Sequence, residues 1–374
     1  MQDSNGYFYG TTYDGGTNNG AGTVFQISTN GSLTVLHTFH EATDAGDGSN
    51  PVAGLVQGSD GYFYGTTYNG GSAGVGTIYR INSSSNSYTI LHSFTNNPDG
   101  SHPVAGLVQG SDGCFYGTTQ YAGTNGYGTV FQLNTNGSLT ILHSFGNGSD
   151  GANPIARLAE GIDGNFYGTA STGGTNSDDT VNYGTVFQIS PSGNFTSLYS
   201  FTNLSDGSSP LALVQGSDGD FYGATSQGGV QDYGTLFCIS PSGSFSNLFS
   251  FTGGTGTING IFPVGLVQGN DGDFYGTTAQ GGTNDIGTVF KLIIPFSPPA
   301  NQISAIQVEG TDVLLTIPSV ANAFYQLQYR TSLTAGGWSN VLGASATSIG
   351  GSLTVTNVGG FSPSQQFYRF VITP

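Results

Sequence analysis

Histidine, aspartate and tyrosine, whose side chains can take part in chemistry, recur in this sequence at fixed intervals. Three of the five histidines, His37, His92 and His143, occupy one position of a repeated segment. In the next two copies of the segment that position holds Tyr199 and Phe249. Because a catalytic base cannot be replaced by phenylalanine, this position predicts packing rather than proton transfer.

Aspartate recurs in two separate sets. The first set precedes glycine between two short apolar segments, and its members are Asp60, Asp112, Asp163, Asp218 and Asp271. Carboxylates suit calcium, but a tight turn explains the Asp-Gly pair fully, because glycine tolerates positive φ. The second set lies in a D-G-x-x-P sequence and is expected to cap turns; its members are Asp47, Asp99, Asp150 and Asp206.

Motifs that would indicate catalysis or a cofactor are missing from the sequence. It contains no nucleophile elbow, phosphate-binding loop or zinc-ligand spacing. Its two cysteines, Cys114 and Cys238, lie in different repeats and make up neither a disulfide framework nor a metal motif. We therefore predict no catalytic residue, no metal and no cofactor. The sequence leaves open whether loop residues catalyse a reaction.

The elements that hold these residues belong to a sequence repeat. The tripeptide FYG occurs six times, 51 to 55 residues apart, with its tyrosine at Tyr9, Tyr64, Tyr116, Tyr167, Tyr222 and Tyr275. Each full period contains four apolar segments, which we name A to D. In the second repeat, segment A is GLVQG, segment B is YFYGTT, segment C is GTIYRI and segment D is YTILHSF. Such short segments, rich in β-branched and aromatic residues, are typical of strands.

Asp-Gly between A and B, and Asn-Gly between C and D, favour antiparallel two-residue hairpins. Four antiparallel strands in about 50 residues match one blade of a β-propeller. The alternative, a β-solenoid, usually has shorter repeats without internal hairpins. The sequence thus predicts an all-β fold with six repeats and six blades, in which segment A is the innermost strand.

The repeats at the two ends differ from the others. Met1 aligns with Val56, in the middle of segment A, so the first blade is predicted to be truncated. The sixth repeat has segments A to C but no D, and its blade should lack the outer strand. We expect that a longer parent chain carries the missing strand and an export signal upstream of Met1. Mass spectrometry of the N-terminus of the native protein tests this expectation.

Beyond the repeats, a proline-rich linker occupies residues 296–301 and separates a domain at 1–295 from a tail at 302–374. The tail contains segments such as VLLTIP and FYQLQYRTS, a single tryptophan, Trp338, and QQFYRFVIT. This pattern predicts a small β-sandwich of the immunoglobulin or fibronectin III type.

Composition restricts the partners. The chain has 5 basic and 22 acidic residues and a net charge of −17, which disfavours nucleic-acid binding. Its 25 phenylalanines and 20 tyrosines can build a core, which excludes the disordered class. No apolar run is long enough to span a membrane as a helix.

Two groups of polar and aromatic residues are candidate ligand contacts. In a propeller the B–C and D–A loops share the variable face, where binding usually resides. This face carries the loop tyrosines and the most acidic loop, that is Tyr13, Tyr68, Tyr121, Asp178 and Asp179. The inner strands carry one amide or carboxylate per repeat, at Gln57, Gln109, Glu160, Gln215 and Gln268. These could bond a sugar or hold channel water.

The six copies of G-x-DG-x-FYGTT, followed by GTVFQI, LxxLHSF and DG-x-x-P, resemble the GloVer tandem repeat over roughly residues 1–295. The resemblance implies an extracellular or cell-surface bacterial protein. We therefore expect a non-enzymatic exported protein that serves adhesion, scaffolding or glycan binding, with a glycan or a cell-surface protein as partner. The alternatives are a secreted propeller hydrolase or lyase acting on polysaccharide, and a purely structural repeat.

Overall fold

The structure is a computed structural model of the whole chain. It describes residues 1–3, 5–17, 20–40, 46–175, 183–253, 260–269, 271–294, 305–319, 324–330, 338–347, 351–358 and 367–373. Within these ranges every regular element is a β-strand, and the predicted all-β class is confirmed.

Each repeat forms a sheet of its own, with its strands in chain order. The first sheet has β1 (Phe8–Thr12), β2 (Thr23–Ile27) and β3 (Leu33–Thr38). The crossing to the next repeat carries β4 (Gly48–Ser49), which pairs with β7 (Asn69–Gly70). The second sheet has β5 (Val56–Gln57), β6 (Phe63–Thr67), β8 (Thr77–Asn82) and β9 (Ser87–Ser93). The third has β10 (Val108–Gln109), β11 (Phe115–Thr119), β12 (Thr129–Leu133) and β13 (Leu139–Ser144).

The later repeats follow the same order. The fourth sheet has β14 (Ala159–Glu160), β15 (Phe166–Ala170), β16 (Thr185–Ile189) and β17 (Phe195–Ser200). The fifth has β18 (Ser208–Gln215), β19 (Phe221–Gln227), β20 (Thr235–Ile239) and β21 (Phe245–Ser250). The sixth has β22 (Gly260–Gln268), β23 (Phe274–Gly281) and β24 (Thr288–Leu292). Segments A to D therefore fold as successive strands of one sheet per repeat.

The tail forms two further sheets of three strands. One has the order β25 (Ala305–Glu309), β26 (Asp312–Ser319) and β29 (Gly351–Asn357). The other has β28 (Ser339–Thr347) and β30 (Phe367–Thr373) on either side of β27 (Phe324–Arg330). Side chains from both sheets, including Leu315 and Tyr325, share one core.

The chain divides into two compact units. The first unit comprises Met1–Val214, Tyr222–Leu266 and Thr277–Thr288, and the second comprises Gln215–Phe221, Val267–Gly276 and Val289–Pro374.

The hairpin turns differ from the two-residue type that the sequence predicts. Between β5 and β6 the Gly61 amide donates to the Gly58 carbonyl, and the Gly58 amide donates to the Tyr62 carbonyl. The loop therefore has three residues. Gly61 has a φ of 83°, whereas Asp60 is not left-handed, as a type I′ turn would require. Asp60 accepts the Tyr62 amide through Oδ1 at 3.2 Å, and this bond favours the longer loop.

Successive sheets of the first unit are joined by aromatic stacking. In the first three repeats the tyrosine of FYG packs on the phenylalanine of the next FYG, with ring centroids about 4 Å apart. The pairs are Tyr9 with Phe63, Tyr64 with Phe115, and Tyr116 with Phe166. All of these rings are at most 5% exposed. The FYG rings in these three pairs are thus core residues, whereas Phe8 of the first repeat is exposed.

The glycine of FYG leaves room for an aromatic ring of segment C. A Cβ atom added at Gly117 would lie 2.6 Å from Cζ of Phe131, which is fully buried. Gly65 stands in the same relation to Tyr79, and Gly10 to Phe25. Close packing of strand against ring therefore explains the invariance of this glycine among the repeats.

Candidate functional site

The three loop tyrosines selected from the sequence lie near one another. Tyr13 is 48% exposed and Tyr121 is 41% exposed, while Tyr68 is half-buried. Burial raises the pKa of Tyr68, and the neighbouring phenols of Tyr121 and Tyr13 raise it further. The B–C loops of the first three repeats therefore bring three phenol rings to one surface, and two of the rings are open to solvent.

His102 lies between two of these tyrosines. Its ring centroid is 4.5 Å from that of Tyr68 and 5.9 Å from that of Tyr121. Sequence analysis did not predict this contact, because His102 stands alone in a D–A crossing. Burial lowers the pKa of His102, so its ring is neutral at neutral pH. We name Tyr13, Tyr68, His102 and Tyr121 the loop aromatic surface.

The backbone fixes the position of His102 from both sides. Its amide donates to the Val75 carbonyl in the preceding B–C loop at 2.8 Å. Its carbonyl accepts the Gln120 amide of the following B–C loop at 3.1 Å. The residue has a φ of 55° and precedes Pro103. Residues other than glycine adopt this left-handed conformation uncommonly, and asparagine, aspartate and histidine do so more often than the rest.

The residue before this proline is left-handed in every crossing, although its side chain varies. The members of this pre-proline set are Asn50 (φ 57°), His102 (φ 55°), Asn153 (φ 54°), Ser209 (φ 53°) and Phe262 (φ 57°). Asn50 donates from Nδ2 to the Tyr13 carbonyl at 3.2 Å, and Asn153 donates to the Gln120 carbonyl at 3.1 Å. Asparagine therefore ties the crossing to the loop of the preceding repeat.

Histidine does not make that bond. Nδ1 of His102 is buried and has no hydrogen-bond partner in the part of the chain that the structure describes. A buried polar atom without a partner costs about 1–3 kcal/mol. His102 therefore carries the cost of an unpaired nitrogen at a backbone position where Asn50 and Asn153 make a hydrogen bond.

The inner amides and carboxylate connect neighbouring repeats. Gln109 accepts the Ser59 amide at 2.9 Å and donates to the Gly113 carbonyl at 3.0 Å. Glu160 accepts the Ser111 amide at 2.8 Å. Glu160 thereby connects the fourth repeat to the third.

The other members of this set lie on the corresponding inner strands. Gln57 is half-buried on β5. Gln215 and Gln268 donate to the carbonyls of Gly219 and Gly272, each at 3.0 Å. A ligand that competes for these inner side chains must therefore displace bonds that join or close the inner hairpins.

A histidine–aspartate pair joins the outer strand of each of the first three repeats to the crossing that follows it. Nε2 of His92 lies 2.9 Å from Oδ2 of Asp99, and Nε2 of His143 lies 3.0 Å from Oδ2 of Asp150. Tyr199 takes the same place in the fourth repeat and donates to Asp206 at 3.0 Å. The aspartates also cap turns, as predicted.

The pairing in the first repeat is more elaborate. Asp47 lies 3.3 Å from Nε2 of His37 and 3.0 Å from Nδ1 of His40. Burial alone would raise the pKa of Asp47, but the hydrogen bonds from both imidazoles outweigh it and hold the pKa well below its ordinary value. Sequence analysis found each set of residues but missed the pairing. The clue was that the fifth repeat has Phe249 and also lacks aspartate in its crossing.

Two candidate residues, Asp178 and Asp179, lie outside the described residues. Among the residues that the structure does describe, no cluster of three histidine, cysteine, aspartate or glutamate side chains could hold a metal ion. In the same described ranges, no helix has the length and apolar character needed to cross a membrane. The loop aromatic surface is therefore the main candidate site, and its rings can stack on a ligand.

A comparison with solved structures finds similar chains whose sequences differ greatly from this one. The extracellular domain of BT3049 from B. thetaiotaomicron is 12% identical, with a TM-score of 0.50, and the match covers 100% of this chain and 46% of that one. The periplasmic gluconolactonase PpgL of Pseudomonas aeruginosa is 16% identical, with a TM-score of 0.42, and coverage is 96% and 99%. TolB from Acinetobacter baumannii is 14% identical, with a TM-score of 0.43, and coverage is 84% and 61%.

No curated protein sequence matches the chain. The model of one protein family does match, over residues 1–182 and again over residues 175–312. These matches span the six copies of the FYG repeat whose sheets are described above. The chain belongs to the Gloeobacter/Verrucomicrobia repeat family.

Proposed function

We propose that this chain is a non-enzymatic exported bacterial protein that binds glycans at the cell surface through its loop aromatic surface. The observation that supports the proposal is the meeting of Tyr13, Tyr68 and Tyr121 near a neutral His102. A pyranose ring has an apolar face that stacks on aromatic rings and hydroxyls that bond polar atoms. Rigid tyrosines supply such contact area at low entropic cost.

The proposed architecture is a six-bladed β-propeller over residues 1–295, a linker at 296–301, and an immunoglobulin-like or fibronectin III-like sandwich at 302–374. Its support is one sequentially ordered sheet per repeat, with aromatic stacking between successive sheets of the first unit. In a propeller, crossings and B–C loops share one face, which would make the loop aromatic surface part of a larger binding face. Solution scattering should give a compact particle, and a rod-like profile would contradict this architecture.

Binding can be tested on an array of polysaccharides and oligosaccharides. The wild-type chain should bind at least one glycan, and the Tyr68→Ala/Tyr121→Ala variant should lose at least about tenfold in affinity. Tyr7→Ala is the matched control, because Tyr7 is 39% exposed but is the first residue of segment B rather than part of a B–C loop. Equal loss in the control, or no binding by the wild type, would contradict the proposal.

The same glycans should be incubated with the chain and analysed for cleavage. We expect binding without turnover. Turnover that disappears in Glu160→Gln would instead support a hydrolase or lyase acting on polysaccharide. Because Glu160 already accepts the Ser111 amide, the unfolding midpoint of this variant must be measured beside its activity.

The proposed location is the cell surface or the medium. Export can be tested by fractionating the native bacterium and by treating intact cells with a protease. We expect the protein in the surface or secreted fraction, accessible to the protease. Recovery only from the cell interior would contradict an exported binding protein.

A further inference from the structure

We propose that His102 is the specificity-determining contact of a saccharide subsite that it forms with Tyr68 and Tyr121. The inference rests on the proposed function and adds the residue that selects the ligand. The subsite would take a neutral hexopyranose unit of a polysaccharide. A chain with a net charge of −17 repels uronic acids and sulfated sugars, which makes an uncharged ligand the better match.

The first support is the choice of residue at position 102. All five members of the pre-proline set share nearly the same φ, between 53° and 57°. Asparagine tolerates that conformation best and is present at Asn50 and Asn153. Histidine at this position is not required by the turn, because the same turn forms with other residues.

The second support is the hydrogen bond that His102 gives up. Asn50 and Asn153 donate to carbonyls at the start of the preceding B–C loop. The corresponding carbonyl for position 102 belongs to Tyr68. An asparagine at 102 would reach it, whereas Nδ1 of His102 stays buried without a partner among the described residues. The fold gains nothing polar from the imidazole in return.

The third support is the neighbourhood of the ring. The imidazole touches tyrosines on both sides, one from each adjacent repeat. The plane of the imidazole ring makes an angle of 51° with the ring of Tyr68 and of 77° with the ring of Tyr121. The three rings therefore form a bent rather than a flat platform. A bent platform favours one sugar orientation, and an imidazole nitrogen can exchange a hydrogen bond with a sugar hydroxyl.

A second crossing shows the same departure from asparagine. Phe262 is also left-handed, and its ring lies 5.9 Å from that of Tyr233 in a loop of the preceding repeat. In both places an aromatic ring at the pre-proline position accompanies a loop tyrosine. The pre-proline position thus accepts different side chains while the backbone stays the same.

The test is the variant His102→Asn, compared with wild type for stability and for glycan affinity. Its denaturation midpoint should equal or exceed that of wild type, because asparagine suits the backbone and can donate to the Tyr68 carbonyl. Its affinity for the glycan found on the array should fall at least about tenfold, a loss typical of a removed contact that matters.

Ser209→Asn is the matched control. It places asparagine at the same backbone position in another crossing, so it should raise the midpoint and leave glycan affinity unchanged. If His102→Asn does not fold, His102→Ser replaces it, because the fourth crossing already carries serine there.

Three outcomes separate the claims. Lost affinity with preserved stability in His102→Asn supports the inference. Unchanged affinity in His102→Asn, with affinity lost in Tyr68→Ala/Tyr121→Ala, overturns the inference but leaves the proposed function in place. Absence of binding by the wild-type chain to every glycan overturns both.

Discussion

At the scale of single residues, titratable side chains in this protein mostly hold the chain in place. The pair of His143 and Asp150 illustrates this. Burial lowers the pKa of His143, although the hydrogen bond to Asp150 opposes the shift. The pair is therefore a hydrogen bond of a neutral imidazole to a carboxylate rather than an ion pair. Proton transfer in catalysis is not needed to explain these histidines.

The lowered pKa of His143 predicts a loss of stability in acid. The folded state binds fewer protons than the unfolded state, so the free energy of unfolding falls as the pH drops below 6.5, the ordinary pKa of histidine. His143→Tyr should reduce this dependence, because Tyr199 fills the same place with a hydroxyl that donates to Asp206. Denaturation by urea at about pH 7 and about pH 5 measures the difference.

The reverse variant, Tyr199→His, serves as control for the acid effect. It adds an imidazole to the fourth repeat and should steepen the pH dependence. If His143→Tyr keeps the full pH dependence of the wild type, the assignment of the effect to His143 is wrong.

The hydroxyl of Tyr64 gives a second prediction at this scale. It donates to Oδ2 of Asp60 at 2.7 Å, and burial, followed by the bond to Asp60, raises the pKa of Tyr64 to about 12. The raised pKa stabilises the fold below the ordinary value of 10.0, and the contribution is lost as the pH rises toward about 12. Tyr64→Phe should lower the free energy of unfolding by about 1 kcal/mol at neutral pH.

Urea denaturation measures the effect of Tyr64→Phe, with Tyr7→Phe as an exposed control. The control should change stability by less than about 0.5 kcal/mol. A larger effect in Tyr7→Phe than in Tyr64→Phe would refute the structural role of the buried hydroxyl.

At the scale of elements, the sequence predicts the strands well and their connections less well. Segments B, C and D become strands because alternating apolar residues and Gly-containing turns act locally. The three-residue hairpin loop was not predicted, because it depends on the bond from the Tyr62 amide to the Asp60 side chain. The contact of His102 with Tyr121 was not predicted either, because it depends on how two neighbouring repeats pack.

The glycine of FYG yields a prediction for the B strand. In Gly117→Ala the new Cβ would meet Cζ of Phe131 at 2.6 Å, and the ring or the strand must move. Overpacking of this kind costs about 1–3 kcal/mol. Gly54→Ala is the control, since its Cβ would meet nothing within 4 Å. Equal denaturation midpoints for the two variants would show that the strand is not held against the ring.

At the scale of the whole molecule, consecutive sheets of the first unit share hydrophobic cores. Tyr116 and Phe145 of the third repeat pack with Phe166 and Phe187 of the fourth in one cluster. Another cluster joins residues of the second and third repeats, including Tyr64 and Phe115. The sheets of the first four repeats are therefore stabilised by their neighbours.

Because neighbouring repeats share cores, we expect that a core substitution in one repeat also destabilises the adjacent repeat. Phe166→Ala removes a ring that is 1% exposed and stacked 3.8 Å from Tyr116, at a cost of about 3–5 kcal/mol. Hydrogen exchange should show lost protection in the third and fourth repeats together, and less change in the first. Loss confined to the fourth repeat would contradict the shared-core description.

The pre-proline set has a consequence for how this protein could change over evolutionary time. Its five members keep one backbone conformation while the side chain ranges from asparagine to phenylalanine. A change of one codon in a repeat can therefore alter the side chain that contacts a ligand, while the backbone conformation stays the same. Families with such positions can diversify their selectivity by point mutation alone.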